Sequence, residues 1–274
     1  MKPLYIVMLA LVLALDADGV RGEDDDNGGL TVFTEINPPH NFEEDGEPRG
    51  ISVDILLAVF NRAGIAKQRS DIRVVPWARG YAQTLRRKNT LLFATTRTPE
   101  RDGLFKWVGP IGIHRQVLMA RRDANIAPMD HTRFNDYTFC VVRQSSGAQR
   151  LLAAGVSPDK FIYVNSSFHA AQLLARGRVD ACTFERVVAS WAFLQLGYSA
   201  RDFETAYTFS ELALYFALNK DTDERLVAAL QAGLDQVRAD GTMAAIVEGY
   251  LPGAAATFLH NSTPNTGLAA PSED

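Results

Sequence analysis

From residue 30 onward, the hydrophobic and polar positions alternate between two patterns. Short runs rich in β-branched and aromatic residues predict strands, and longer segments with apolar positions three and four residues apart predict helices. The predicted strands are residues 30–34, 72–75, 91–94, 116–120, 137–142, 161–164, 178–184 and 212–218. The predicted helices are residues 51–60, closed by Gly64, and residues 78–87, 148–154, 169–176, 186–196, 223–238 and 243–250. This repeated order of strand, loop and helix is typical of α/β proteins.

One polar loop carries the strongest candidate for a ligand contact. Residues 95–105 follow the apolar run 91–94 and contain several hydroxyl groups, Pro99 and the arginines Arg97 and Arg101. Ligands of α/β proteins bind at the ends of strands, where an arginine can hold a carboxylate through two parallel hydrogen bonds. Taken alone, however, the residues favour a solvated surface loop, because most arginine side chains are exposed.

Two further segments have the same ambiguity. Trp77 lies just past the predicted strand 72–75, where it is either a wall of a ligand site or part of ordinary packing between lobes. Ser145 and Ser146 precede the predicted helix 148–154. Hydroxyl groups at a helix start cap it, and they also place free backbone N–H groups where an anion could bind.

The first 22 residues have the form of a secretory signal peptide. Lys2 precedes the apolar run 4–15, and small residues stand before a possible cleavage site after Gly22. The run is apolar on all sides and is short for a bilayer span. We therefore expect cleavage near residue 22 and a soluble mature protein in the periplasm.

The charge and composition of the chain limit the kinds of macromolecule that it can bind. Removal of residues 1–22 takes away two charges of each sign, so the net charge stays at −4. A mildly acidic chain has no broad basic surface for nucleic acid. With 274 residues, of which 47% are hydrophobic, the chain can bury a large core as one domain or as two lobes.

The cysteines and histidines do not indicate a metal or catalytic centre. Cys140 and Cys182 each lie in a predicted strand, so they either form a disulfide between neighbouring strands or remain two buried thiols. The five histidines are scattered at spacings unlike those of metal sites, and the chain has no nucleophile elbow or phosphate-binding glycine loop. We expect no metal and no cofactor.

The order of the elements, together with four short strings, resembles that of periplasmic solute-binding proteins of ABC transporters, family 3, the polar amino-acid type. The strings are residues 50–56, residues 98–101 with Phe105, residues 177–181 and residues 238–242. The resemblance covers residues 30–250 and implies a type II periplasmic binding protein fold. In that fold two α/β lobes are joined by two crossing segments, and the ligand lies in the cleft between them.

The resemblance also implies domain boundaries. Lobe 1 would comprise residues 23–112 and 212–253, and lobe 2 would comprise residues 113–211. Beyond Gly253, residues 261–274 lose the hydrophobic periodicity and are rich in Ser, Thr, Pro and Asn, so we expect residues 254–274 to be a disordered tail.

The family's ligand-binding residues fall on definite positions of this chain. The carboxylate-binding arginine corresponds to Arg101, and Thr96 corresponds to a hydroxyl that assists it. The hydroxyls that face the same carboxylate from lobe 2 correspond to Ser145 and Ser146, and the acid that receives the ligand's ammonium corresponds to Glu185. A zwitterion would bond to both lobes only when they are closed, so binding would drive hinge closure.

The chain departs from the family in its first loop. Many amino-acid binders carry an aromatic residue near the positions of Ile36 and Asn37, to cover the ligand side chain. We expect Trp77, Phe33 or Phe42 to supply this wall instead.

A second departure is Glu185, where many relatives have Asp. The longer side chain moves the acid forward, so the ligand would be smaller than a basic amino acid or would not be an α-amino acid.

These observations predict a periplasmic, monomeric binding protein. It would capture a small carboxylate-bearing solute, with an amino acid as the first candidate, and deliver it to an inner-membrane ABC permease. A second hypothesis is a stand-alone ligand sensor that presents its closed form to a membrane receptor. A third is an enzyme on the same scaffold that dehydrates cyclic amino-acid precursors with Glu185 as its acid.

Overall fold

The computed structural model describes residues 29–143 and 145–259, so the predicted signal peptide lies outside the described residues. Strands in this part of the chain are β1 Thr31–Thr34, β2 Phe42–Glu44, β3 Glu47–Arg49, β4 Ile72–Val74, β5 Thr90–Thr96, β6 Phe105–Arg121, β7 Phe139–Val142, β8 Phe161–Val164, β9 Ala181–Glu185 and β10 Phe203–Asn219. The α-helices are α1 Ile51–Arg62, α2 Trp77–Arg86, α3 Pro99–Asp102, α4 Ser146–Ala153, α5 Ser167–Ala175, α6 Arg186–Gln195, α7 Glu224–Ala239, α8 Thr242–Tyr250 and α9 Ala255–Leu259. Short 3-10 turns complete the pattern, and the predicted α/β class is confirmed.

Eight of these strands form one mixed sheet in the order β4-β1-β5-β10-β6-β9-β7-β8. At one end, β4, β1 and β5 are parallel to one another, and at the other end β9, β7 and β8 are also parallel. The antiparallel pair β6 and β10 lies between these two groups and connects them. The arrangement is two α/β lobes joined by two crossing segments, as the resemblance implied.

The crossing segments are longer than the hydrophobic pattern indicated. We predicted strands at residues 116–120 and 212–218, whereas β6 and β10 each run for 17 residues. The last thirds of the two strands pair with strands of different lobes: residues 214–218 of β10 pair with β5, and residues 116–120 of β6 pair with β9. The expected lobe boundaries at residues 112/113 and 211/212 thus fall inside continuous strands.

Each lobe has its own hydrophobic core. In lobe 1, helices α1, α7 and α8 pack over β1, β5 and the adjoining ends of β6 and β10 around fully buried side chains such as Phe60 and Phe216. In lobe 2, two clusters cover opposite faces of the sheet, one around Phe193 and one around Phe139. Val187 and Trp191 of α6 pack against the lobe 1 cluster, so α6 connects the two cores.

Two expectations about irregular segments are corrected. Residues 43–50 were expected to be a polar turn, and most of them form the antiparallel hairpin β2–β3. Residues 254–274 were expected to be disordered, but residues 255–259 form α9, in which Phe258 is fully buried. This burial is possible because Gly112 has no side chain: a Cβ there would lie 2.5 Å from the Phe258 ring. Residues 260–274 lie outside the described residues.

The two cysteines lie side by side. Cys140 of β7 and Cys182 of β9 are direct partners in the parallel register, and both are buried free thiols. A hydrogen bond with Cys182 lowers the pKa of Cys140, and burial raises the pKa of Cys182 well above its usual value. The two strands are neighbours, and of the two alternatives left open by the sequence the structure has the two buried thiols.

Candidate functional site

A cavity of about 390 Å³ lies at the carboxyl ends of the lobe 1 strands, beside the crossing segments. Its walls come from the loop after β1, the start of α2, the end of β5, helix α3 and the middle of β6 and β10. The lining residues are Glu35, Asn37, His40, Trp77, Ala94, Thr96, Arg101, His114 and Leu214. The carboxyl edge of parallel strands is where α/β folds bind ligands.

Arg101 is the central cation of this cavity. Helix α3 begins with Pro99 at its first position, which fixes the backbone as the chain leaves β5. Nη1 of Arg101 donates to Oγ1 of Thr96 at 2.9 Å, and the guanidinium lies 5.7 Å from the ring centre of Trp77 and 5.6 Å from that of Tyr81. In the described part of the chain, no carboxylate lies within ion-pair distance of this guanidinium. Its remaining donors are therefore available to an anion.

Arg97 lies only four residues away but has a different environment. Nε of Arg97 donates to Oδ1 of Asp102 at 2.5 Å, and the guanidinium lies over the rings of Trp107 and Tyr215. The side chain is 42% exposed and does not line the cavity. The two neighbouring arginines therefore have different environments, and of the two only Arg101 lines the cavity.

The backbone is strained where β5 meets the cavity. Ala94 has φ of 59°, a conformation that side-chain-bearing residues rarely adopt, and β10 shows a register shift opposite this point, between Tyr215 and Ala217. Such strain costs on the order of 1–3 kcal/mol and is concentrated at functional sites. Ala94 and Thr96 both line the cavity, which places the strain at its wall.

Glu35 supplies a carboxylate to the same cavity. It directly follows β1, is half-buried, and burial raises its pKa above the usual value. Its backbone carbonyl accepts from Nδ2 of Asn41 at 2.6 Å, which fixes the loop, and no cation among the described residues pairs with its carboxylate. Sequence analysis missed Glu35, although its position just after a predicted strand was an available signal.

Glu185 ends β9 and caps α6, and its carboxylate is nearly enclosed by protein. Oε2 accepts from the backbone N–H of Val188 at 2.8 Å, and Oε1 lies 3.4 Å from the backbone N–H of Arg115, which donates to it. Nε2 of His40 lies 3.5 Å from Oε2, and the two side chains are only 1% and 8% exposed. Burial alone would raise the pKa of Glu185, but His40, His114 and the Val188 N–H outweigh it and lower the pKa to about 2.

The structure therefore divides the predicted site residues into two groups. Arg101, Thr96 and Trp77 come together in the cavity. Glu185 does not line it and faces His40 instead. His40 was missed, because nothing local marks a histidine that contacts a residue far along the chain.

The two predicted serines also lie away from the cavity walls. Oγ of Ser145 accepts from the backbone N–H of Ala148 at 3.3 Å and so caps α4. Oγ of Ser146 donates to Oε1 of Gln116 at 3.5 Å. Gln116 pairs with Glu185 across β6 and β9, so Ser146 belongs to the lobe 2 side of the crossing region.

His114 of β6 also lines the cavity. Burial lowers its pKa, and although Glu185 opposes this effect, the imidazole favours the neutral form. Across the described residues, no group of three or more His, Cys, Asp and Glu side chains is arranged to hold a metal ion. In the same part of the chain, no helix combines the length and the apolar character needed to cross a bilayer.

Two α/β lobes, paired crossing strands and a polar cavity, whose arginine has no carboxylate partner among the described residues, define a bilobed ligand-binding protein. The chain belongs to the bacterial extracellular solute-binding proteins, family 3, whose model matches residues 30–253.

Known proteins of similar sequence and fold agree with this class. The probable amino-acid-binding protein YxeM of Bacillus subtilis (strain 168) is 24% identical over 254 residues, which cover 89% of this chain and 93% of YxeM. A histidine kinase sensor domain with similarity to periplasmic binding proteins has a TM-score of 0.60 at 19% identity and covers 85% of this chain and 99% of that one. An ABC uptake transporter substrate-binding protein from Streptococcus pneumoniae with bound histidine has a TM-score of 0.58 at 19% identity, covering 80% and 91%.

Proposed function

We propose that this protein captures an amino acid in the cavity and that Arg101 holds the ligand's carboxylate. The observation that carries the proposal is the half-buried guanidinium of Arg101, fixed by Thr96 at 2.9 Å and without an acidic partner in the described chain. A positioned guanidinium with free donors matches the two oxygens of a carboxylate.

The remaining walls suit the rest of an amino acid. Glu35 provides a half-buried carboxylate that no cation of residues 29–143 and 145–259 pairs with, and it is the complement of a ligand's cationic group. Trp77 and Leu214 provide apolar surface against which the carbon skeleton can pack. Trp77 thus fulfils the role of the aromatic wall that the first loop lacks. The name of YxeM and the histidine bound to the S. pneumoniae protein support an amino-acid ligand.

Lobe closure would report the bound ligand to a partner. The rings of Phe42, on the β2–β3 hairpin, and Trp191, on α6, lie 5.9 Å apart, and Trp191 also lies 6.4 Å from Tyr250 of α8. These contacts join lobe 2 to lobe 1, so they form only when the lobes are close. We propose a periplasmic location and a monomer that presents this closed form to an ABC permease.

A sensory role is the second candidate, and the likeness to a histidine kinase sensor domain favours it. Deletion of the gene separates the two roles. Loss of uptake of the radiolabelled ligand supports the permease partner, whereas normal uptake with loss of a ligand-dependent transcriptional response supports the receptor.

The enzyme hypothesis requires Glu185 to donate a proton. Both oxygens of this carboxylate already accept hydrogen bonds, and with a pKa of about 2 it is ionised at neutral pH. This environment opposes an acid role. Incubation with prephenate should therefore release neither water nor carbon dioxide, and measurable turnover would reverse this conclusion.

A thermal-shift screen of the purified protein against the twenty standard L-amino acids and small carboxylates tests the binding proposal. A ligand that binds only the folded state must raise the Tm. We expect a clear rise with at least one α-amino acid. If no α-amino acid raises the Tm and a dicarboxylate or a peptide does, the proposed ligand class is wrong.

A further inference from the structure

The first turn of helix α4 brings lobe 2 to the side of β6 that borders the cavity. Oγ of Ser146 donates to Oε1 of Gln116 on β6 at 3.5 Å, and a Cβ at Gly147 would lie 2.5 Å from the Cβ of Thr183 on β9. Gln116 follows His114 by two residues, so both side chains point to the same side of β6. The start of α4 therefore packs on the side of β6 that carries His114, a cavity residue.

Arg150 lies one turn further along the same face of α4. It follows Ser146 by four residues and Gly147 by three, and residues at these spacings share a helix face. Side chains of a helix lean toward its N-terminus, which directs the guanidinium of Arg150 back toward the first turn and β6. Burial is the largest cause of the lowered pKa of His114, and the nearby positive charge of Arg150 lowers that pKa further. Arg150 therefore lies on the lobe 2 side of the cavity, close to His114.

The guanidinium of Arg150 has no acidic partner within residues 29–143 and 145–259. Nε is enclosed by protein and makes no hydrogen bond there. Nη1 and Nη2 are not enclosed, since the side chain is only half-buried, so the outer end of the fork is open to a ligand. A guanidinium is always charged, and buried polar groups nearly always have partners. The missing partner is therefore an anion from outside the chain.

Three charged side chains of the described chain lie in or beside the cavity without a partner of opposite charge. Arg101 and Glu35 come from lobe 1, and Arg150 comes from lobe 2. His114, between them, favours the neutral form. An amino acid with a neutral side chain would pair with Arg101 and Glu35 and would leave Arg150 without an anion. Two cations and one anion match a ligand with two carboxylates and one ammonium group.

We propose that the ligand is an acidic amino acid and that Arg150 binds its side-chain carboxylate from lobe 2. Arg101 binds the α-carboxylate and Glu35 receives the ammonium group. Lobe 2 then contacts the ligand through a cation instead of through Glu185, whose oxygens already accept from backbone N–H groups. The inference rests on the proposed function, because it names the class of amino acid that the cavity takes.

The test is calorimetric titration at neutral pH with two pairs of ligands, L-glutamate with L-glutamine and L-aspartate with L-asparagine. The members of each pair have nearly the same shape and differ in the charge of the side chain. We expect the wild type to bind one of the acids at least about tenfold more tightly than its amide. Arg150→Gln should remove most of this preference by weakening the acid, with the affinity for the amide unchanged.

Two further variants complete the experiment. Arg150→Met keeps the apolar stem of the side chain and should lose the preference in the same way, which provides a second test if Arg150→Gln does not fold. Arg176→Gln is the matched control, because this exposed arginine follows α5 in the same lobe and its removal changes the net charge equally. It should keep the wild-type preference.

The outcomes separate this inference from the proposed function. A wild type that binds a neutral or a basic amino acid more tightly than either acid overturns the acidic ligand and leaves amino-acid binding intact. Equal losses for acid and amide in Arg150→Gln, or the same loss of preference in Arg176→Gln, overturn the contact with Arg150. Binding of succinate or glutarate without binding of any α-amino acid overturns the proposed function itself.

Discussion

Arg101 and Thr96 form a hydrogen-bonded pair at the wall of the cavity, with 2.9 Å between Nη1 and Oγ1. The threonine is the last residue of β5 and the arginine lies in α3, so a single tight connection between strand and helix positions both. Trp77 and Tyr81 flank the guanidinium through their rings. Strand, helix and aromatic pair therefore all constrain the orientation of Arg101 in the ligand-free structure.

Glu35→Gln should weaken the binding of ligands that carry a cationic group. It should also stabilise the ligand-free protein at neutral pH. Burial raises the pKa of Glu35, so the folded state disfavours the charged form. Below the unfolded-state pKa the carboxyl is protonated in both states and costs no stability. As the pH rises toward the folded-state pKa, the cost of ionising the buried carboxyl grows, and above that pKa it is complete. Urea unfolding at pH 7 and at pH 4 checks this: the variant should be the more stable protein at pH 7, and the difference should shrink at pH 4. A loss of stability at pH 7 would mean that the carboxylate has a stabilising partner.

Glu185→Gln should destabilise the fold at neutral pH by on the order of 3 kcal/mol. The carboxylate caps α6 and faces His40, and its pKa of about 2 lies below the ordinary value of 4.5. A depressed pKa contributes stability above the unfolded-state value, and this contribution is lost as the pH falls from about 4.5 toward 2. The difference in the free energy of unfolding between variant and wild type should therefore be largest at pH 7 and decrease below pH 4.5. A difference independent of pH would assign the effect to shape and not to charge.

Phe258→Ala should cost about 3 kcal/mol of stability, because it removes a fully buried ring from the lobe 1 core. A chain that ends after Gly253 should be destabilised similarly, and a chain that ends after Leu259 should unfold like the full-length protein. Guanidinium unfolding of the three proteins tests this. If the chain ending after Gly253 is as stable as the others, α9 does not contribute to the core.

The sequence predicted which helices and strands exist better than it predicted their lengths. The short apolar runs at β1, β4 and β8 match the strands closely, because each run is bounded by residues that end regular structure. Strands β6 and β10 were underestimated because both pass from one lobe to the other, where polar residues such as His114, Arg115 and Glu211 interrupt the hydrophobic pattern. Arg115 and Glu211 pair at 2.5 Å in the interior, a contact that only the tertiary structure provides.

The site was predictable where its residues are close in sequence. Thr96 and Arg101 lie five residues apart, and the family resemblance marked both. His40 could not be found this way, because its partner Glu185 is remote in sequence and the contact exists only once the lobes come together. For the same reason, the sequence could not predict that backbone N–H groups already donate hydrogen bonds to the Glu185 carboxylate. The position of Glu185 at the end of β9 was predicted correctly.

The most direct test of the central claim is calorimetric titration of the best-binding L-amino acid into wild type, Arg101→Ala and Arg97→Ala. Arg97 is the matched control because it is a neighbouring arginine that pairs with Asp102 and does not line the cavity. Since a charge-assisted contact contributes about 1.5–3 kcal/mol, we expect Arg101→Ala to bind at least about tenfold more weakly, with the Tm of the ligand-free protein nearly unchanged, and Arg97→Ala to bind like the wild type. Equal affinities for all three proteins, or a large loss of stability in ligand-free Arg101→Ala, would contradict the assignment of Arg101 as the carboxylate-binding residue.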